Sequence, residues 1–115
     1  MIAVIFEVWP ADGRKDEYLD LAGALRSELE SVDGFISVER FESLHEPGKL
    51  LSLSYWRDEQ AVQIWRNNNS HRETQAKGRN GVFANYRLRV ARVERDYGLD
   101  ERSEAPDDSE DLFGS

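Results

Sequence analysis

Two hydrophobic periods take turns along the chain. Residues 2–9, IAVIFEVW, alternate and are rich in β-branched and aromatic types, which predicts a strand. PADG follows as a turn, with Asp12 or Gly13 placed to cap the next element. From residue 14 the period lengthens: Tyr18, Leu21, Ala22, Leu25, Leu29 and Val32 fall on one helical stripe, and Gly34 supplies the stop. This predicts one amphipathic helix with a face that must lie on something.

Residues 35–44, FISVERFESL, alternate again, with Phe35, Ser37, Glu39 and Phe41 on one side and Ile36, Val38, Arg40 and Leu44 on the other. HEPG at 45–48 is a turn and KLLSLSYW at 49–56 a third strand, so the pair predicts an antiparallel hairpin. Asp58 can cap a second helix, EQAVQIWRN, with Ala61, Val62, Ile64 and Trp65 inward. Ser70 and Glu73 have capping-box spacing and predict a further helical turn or two, HRETQAK, ending at Gly78. Residues 82–97 then read as a long final strand, with Arg87, Arg89, Arg92 and Arg95 at its wetter positions.

The order β-α-β-β-α-β is the split βαβ, ferredoxin-like arrangement: an α+β fold with a four-stranded antiparallel sheet and its helices on one face. Both sides of the predicted hairpin carry large apolar groups. The face away from the helices therefore needs a cover of its own, and such a patch marks an interface. A homodimer with its two open sheet faces together is the expectation. A domain of about 100 residues buries roughly 65% of its unfolded surface, which supports one modest core. A sizeable ligand cavity is therefore expected between two copies. Phe41, Leu53 and Trp56 would fill it or line it, and Glu7, Glu39 and Arg40 would be solvated or ion-paired between the sheets.

Charge divides the chain into a domain, residues 1–98, and an acidic, flexible tail, residues 99–115. Of the formal charge of −8, residues 100–115 carry −6 and residues 1–99 only −2. A nearly neutral body without a basic stripe argues against nucleic acid as a partner. There is no cysteine, which removes disulfides, a thiolate nucleophile, Fe–S clusters and Cys-ligated zinc. The two histidines, His45 and His71, have no supporting carboxylate spacing, so no metal site is expected, and His45 reads as an exposed turn residue. The first residues lack a basic leader, and no run approaches the ~20 apolar residues of a membrane span. The expected setting is cytoplasmic, away from membranes.

Candidate chemistry gathers in WRNNNSHRETQAKGR, residues 65–79. An imidazole titrates near neutrality and an indole offers a flat apolar wall with one donor, so His71 with Trp65 suits a planar aromatic substrate that must lose a proton. The run Asn67, Asn68, Asn69 has the turn and capping chemistry of asparagine, and Asn67 is the one retained as a ligand contact. Arg79, between two glycines, can hold an anionic oxygen. Tyr86 and Asn85, early in the last strand, are placed to reach the same cavity.

With the strand pair DGFISVERFES, the run GKLLSLSYWRDEQAVQIWRNNNSHRETQAKGR and the strand FANYRLRVARV on the page, the chain resembles the antibiotic biosynthesis monooxygenase (ABM) domain family over about residues 2–97. That resemblance implies a dimeric α+β barrel and a cofactor-independent monooxygenase. Its substrate would be a small aromatic or polyphenolic molecule, oxidised to a quinone by O2, with the deprotonated substrate supplying the electrons. It implies Trp65 as pocket wall and His71 as base or hydrogen-bond donor. Asn67, Arg79 and Tyr86 would orient substrate oxygens. Two alternatives stand beside it: a dimeric small-molecule-binding or interaction protein without catalysis, and a haem-binding or haem-degrading monooxygenase. The haem alternative ranks lower. Haem-degrading members place Asn in the first strand, where this chain has Glu7, and their His lies further past the Trp than the six residues seen here.

Overall fold

The computed structural model describes residues 1–68, 76 and 81–107. In chain order these form β1 (Ile2–Pro10), α1 (Lys15–Ala24), α2 (Arg26–Glu30), β2 (Phe35–Glu42), β3 (Leu50–Trp56), α3 (Glu59–Arg66) and β4 (Phe83–Arg92). The sheet order is β2-β3-β1-β4 and every pairing is antiparallel. This is the ferredoxin-like α+β fold. The predicted helical turn around Ser70 and Glu73 falls outside the described residues.

Strand parity assigns the faces. In β1, Ile2, Val4, Phe6 and Val8 point to the helices, and Ile5, Glu7 and Trp9 to the other side. Register carries that division across the sheet. Ile2 pairs with Trp56, Val4 with Ser54, Phe6 with Ser52 and Val8 with Leu50. Ser54 in turn pairs with Val38 and Ser52 with Arg40. Two apolar clusters result, one at each end of the helix-covered face. The first joins Ile2 and Trp56 to Leu29, Ala61 and Trp65; the second joins Val8 and Leu50 to Tyr18, Ala22 and Val82. Between them the central strand β3 contributes only serines.

One corner explains how α3 reaches the sheet. The Asp58 carboxylate caps the helix by accepting from the Ala61 N–H at 2.9 Å. The Arg57 N–H donates to the Gly34 carbonyl at 2.7 Å. Gly34 has φ +94°, and a Cβ there would stand 2.8 Å from the Ala61 Cβ. The position needs glycine both for its backbone and for the close approach of α3.

Several expectations are corrected. The single helix over 14–33 is broken at Leu25 (φ −85°, ψ −10°), next to Gly23, the weakest helix former in the run. Ile64 is exposed, because Val62, Trp65 and Arg66 turn inward and leave it on the far side of α3. The last strand ends at Arg92 rather than Tyr97: the Val93 N–H donates to the Met1 carbonyl, and β1 offers no further partner. Trp56 is fully buried on the helix side, since its register partner is Ile2, so it does not lie between two sheets. Arg40 likewise faces the helices.

A matched charge cluster sits at the centre of the open face. Glu7 accepts from Lys49 Nζ at 2.8 Å and from Arg89 Nη1 at 2.7 Å. Lys49 also lies 4.8 Å from the Trp9 ring centroid, and the Trp9 indole donates to Glu46 at 2.8 Å. Ile5, Leu51, Leu53 and Tyr55 are half-buried around this cluster, and Phe41 is exposed.

Candidate functional site

A cavity of about 390 Å³ lies between the helices and the sheet of a single chain. This corrects the expectation that a sizeable cavity needs two copies. Its floor is the stretch of sheet between the two apolar clusters: Val4, Phe6, Val38, Arg40, Ser52 and Ser54. Its roof comes from Tyr18, Ala22, Leu25 and Leu29 on the first two helices, and from Val62 and Trp65 on α3. Trp56 closes one end. The space exists because β3 presents serines where a core strand would present large side chains, and because Ala22 opposite them is small.

Phe83, Tyr86, Leu88 and Val90 form the side of the cavity along β4. Tyr86, Leu88 and Val90 are about half exposed although they face the helix side, so the cavity opens over this edge strand. Aromatic rings dominate that side. Phe6 stands 5.8 Å from Phe83 and 5.7 Å from Tyr86, and Tyr18 stands 5.6 Å from Phe83, each centroid to centroid. Such walls suit a flat or cyclic apolar ligand.

The polar groups of the described lining are few: hydroxyls and two guanidinium groups, besides the Trp indoles. Ser54 is buried and accepts from the Trp56 indole at 2.9 Å. Burial raises the Tyr18 pKa, while the Arg40 guanidinium opposes it through its charge and a hydrogen bond. The hydroxyl therefore stays protonated at neutral pH and is available as a donor. Arg40 and Arg66 bring guanidinium groups to the lining, and no Asp or Glu is found among the described lining residues.

The sequence candidates divide. Trp65 and Tyr86 both line the cavity. Asn67 does not: it is the exposed C-cap of α3, its N–H bonds to the Gln63 carbonyl, and its neighbour Arg66 takes the lining position. His71 and Arg79 lie outside the described residues. His45 is exposed, in the turn that Ser43 braces by accepting from the N–H groups of His45 and Glu46. Reading the sequence missed Phe6, Arg40, Ser52, Ser54 and Trp56. The available signal was parity, since Arg40 lies two residues from the apolar Val38, on the same side.

For the haem alternative, the described lining offers the iron Tyr18 and Tyr86 but no His, Cys or Met, and Glu7 points to the opposite face of the sheet. Among the described residues no group of three or more His, Cys, Asp and Glu is placed to hold a metal ion. No described helix is long and apolar enough to cross a membrane.

Comparison with known proteins agrees with this architecture. Residues 1–77 match the model of the family described as antibiotic biosynthesis monooxygenase. A protein of Pyricularia oryzae named jasmonate monooxygenase ABM is 50% identical over 93 residues, which cover 81% of this chain and 43% of that protein. This chain thus spans less than half the length of that relative. The uncharacterized Bacillus subtilis protein YqjZ is 34% identical over 78 residues, covering 68% of this chain and 67% of its own. Among solved structures, a candidate antibiotic biosynthesis monooxygenase of Deinococcus radiodurans superposes with a TM-score of 0.77 at 11% identity, covering 86% of this chain and 98% of that one. Rv0793 of Mycobacterium tuberculosis gives 0.75 at 18% identity, covering 84% and 98%. These two likenesses speak for the fold; the family match rests on sequence. The chain belongs to the antibiotic biosynthesis monooxygenase family.

Proposed function

We propose that this domain is a monooxygenase that encloses a small, mostly apolar cyclic substrate in the helix-side cavity and transfers one atom of O2 to it. The observation that carries the proposal is the cavity, about 390 Å³ with aromatic and aliphatic walls and few polar groups. That volume and composition are typical of small-molecule sites. The name of the Pyricularia oryzae relative supports both the reaction and a cyclic, oxygen-bearing substrate.

Two substrate classes fit such walls. For a phenol or anthrone the reaction balances with O2 alone. The ring-flanked CH2 of an anthrone, or a ring C–H together with the O–H of a phenol, loses two hydrogens and gains one oxygen, the second oxygen leaves as water, and the deprotonated substrate supplies the electrons. No cofactor is consumed. Hydroxylation of a saturated carbon on a jasmonate-like molecule needs two further electrons and two protons, which a nicotinamide hydride and one proton from solvent would supply. In either case Trp65 and Tyr86 wall the substrate. In the first, His71 takes its proton and Arg79 holds an oxygen.

The test is incubation with isotopically labelled O2 and anthrone, a hydroquinone or jasmonate, each with and without NADPH. The expected result is a protein-dependent product with one labelled oxygen from at least one class. For an aromatic substrate, His71→Ala should slow turnover by about 10²-fold or more, the usual scale of a lost proton-transfer group. No protein-dependent label in any mixture would sink the proposal.

A second copy of the chain is proposed to cover the open face, where Phe41 is exposed beside half-buried Ile5, Leu51 and Leu53. Phe41→Asp should turn a sedimenting dimer into a monomer. A wild-type chain that sediments as a monomer at micromolar concentration contradicts this pairing.

A further inference from the structure

We infer that Arg40 binds an anionic oxygen of the substrate, so that the cavity selects an apolar molecule bearing one carboxylate over its neutral counterpart. The inference rests on the cavity being the substrate pocket. Its starting point is a mismatch between Arg40 and its surroundings.

A guanidinium carries five N–H donors. Arg40 Nη2 reaches the Ala22 carbonyl at 3.4 Å, too long for a strong bond, and Nε is buried with no hydrogen-bond partner. The Tyr18 hydroxyl also interacts with it, and that group is neutral. Among the described residues Arg40 enters no ion pair although it is half-buried, whereas Glu39 and Arg87, the other sheet charges without one, are exposed, and Glu7 is met by Lys49 and Arg89 and Glu42 by Lys15. A buried donor on a cation is costly unless an acceptor meets it.

Position supplies the rest. Arg40 stands in the cavity floor beside Ser52, its cross-strand partner, with the Tyr18 hydroxyl above. Three donors of different reach thus converge on one polar corner of an apolar space. Beyond Ser52 the same row of the sheet continues through Phe6 to Leu88, with Val90 beside it, so the far side of the cavity is apolar. An amphiphile with an anionic head and a cyclic apolar body matches this layout. Among the described lining residues no carboxylate competes for the guanidinium. Arg66, exposed on α3, adds positive potential that draws an anion toward the cavity.

The test compares two acid and ester pairs by titration calorimetry on the full chain: jasmonate with methyl jasmonate, and 1-naphthoate with its methyl ester. The wild type should bind the acid about 10- to 100-fold more tightly than the ester in at least one pair, the usual worth of a charge-assisted hydrogen bond away from water. Arg40→Met should abolish that preference by weakening the acid far more than the ester. Arg40→Lys should restore part of it, because a point charge replaces only part of the fork. If acid and ester bind the wild type equally, or if the preference survives in Arg40→Met, this assignment is overturned while the pocket stands. If Arg40→Met weakens acid and ester alike, Arg40 merely braces α1 through Ala22 and the assignment is again overturned. Should the wild type bind none of the four, the pocket reading falls, and this one with it.

Discussion

Phe6 and Glu7 are neighbours in β1, yet they belong to two different surfaces. Phe6 looks into a cavity roofed by three helices; Glu7 looks out from the open face. Around Glu7 the charges are matched, with Lys49 at 2.8 Å and Arg89 at 2.7 Å. On the floor that Phe6 shares, the Arg40 guanidinium meets no carboxylate among the described residues. The apolar groups differ as well. Those of the open face make a layer that a flat partner could cover, while those of the helix side enclose a volume. The contrast separates two roles that one sheet can hold at once. A surface whose charges are satisfied is suited to packing. A space whose charge is unanswered is suited to a ligand.

The contrast is broken most severely at Trp56. This side chain is fully buried at the end of the cavity and anchors one apolar cluster. Trp56→Ala should cost about 3–5 kcal/mol, read from urea denaturation, as large-to-small changes of buried aromatics do. A loss no larger than that of an exposed open-face residue such as Phe41→Ala would contradict the assignment of the core to the helix side. Leu88→Trp sharpens the contrast without attacking the core. Leu88 is about half exposed at the cavity's open side, so stability should stay within about 0.5 kcal/mol while ligand binding measured by calorimetry is lost. Unchanged binding would place the ligand elsewhere.

The smallest effect concerns acid. The hydrogen bond from Lys49, with help from Arg89 and against partial burial, holds the Glu7 carboxyl below its ordinary value of 4.5. A depressed folded-state pKa contributes stability that is present above the unfolded value and is lost as pH falls through the folded one. The open-face cluster should therefore weaken below pH 4.5. Glu7→Gln should flatten the acid limb of a stability profile and leave neutral-pH ligand binding unchanged. A loss of ligand affinity in Glu7→Gln would join the two faces that the structure separates.

The fold was legible because period and parity are local. Alternation in IAVIFEVW and FISVERFE, the stripe through Tyr18, Ala22, Leu25 and Leu29, and Asp58 ahead of EQAVQIWR suffice for the order of elements. The location of the cavity was not legible, because it depends on which residues meet across the sheet. Ser52 and Ser54 look like ordinary strand residues until register sets them between Phe6 and Arg40, and between Val4 and Val38. Trp56 could face either side until its pairing with Ile2 is known. Trp65 was recognisable as a large apolar group at helical spacing beside polar residues. Its neighbour Arg66 was passed over for Asn67, since one residue on a two-turn helix decides between cavity and solvent.

The chain's three tryptophans report on the two surfaces directly: Trp56 and Trp65 line the cavity, and Trp9 stands on the open face. Their indole N–H signals in a proton–nitrogen NMR spectrum, followed during titration with jasmonate or 1-naphthoate, distinguish the sites without mutation. The helix-side cavity as ligand site predicts that the Trp56 and Trp65 signals shift together along one binding curve while Trp9 stays in place. Movement of Trp9 with Trp56 and Trp65 unchanged, or no movement of any of the three, would contradict it.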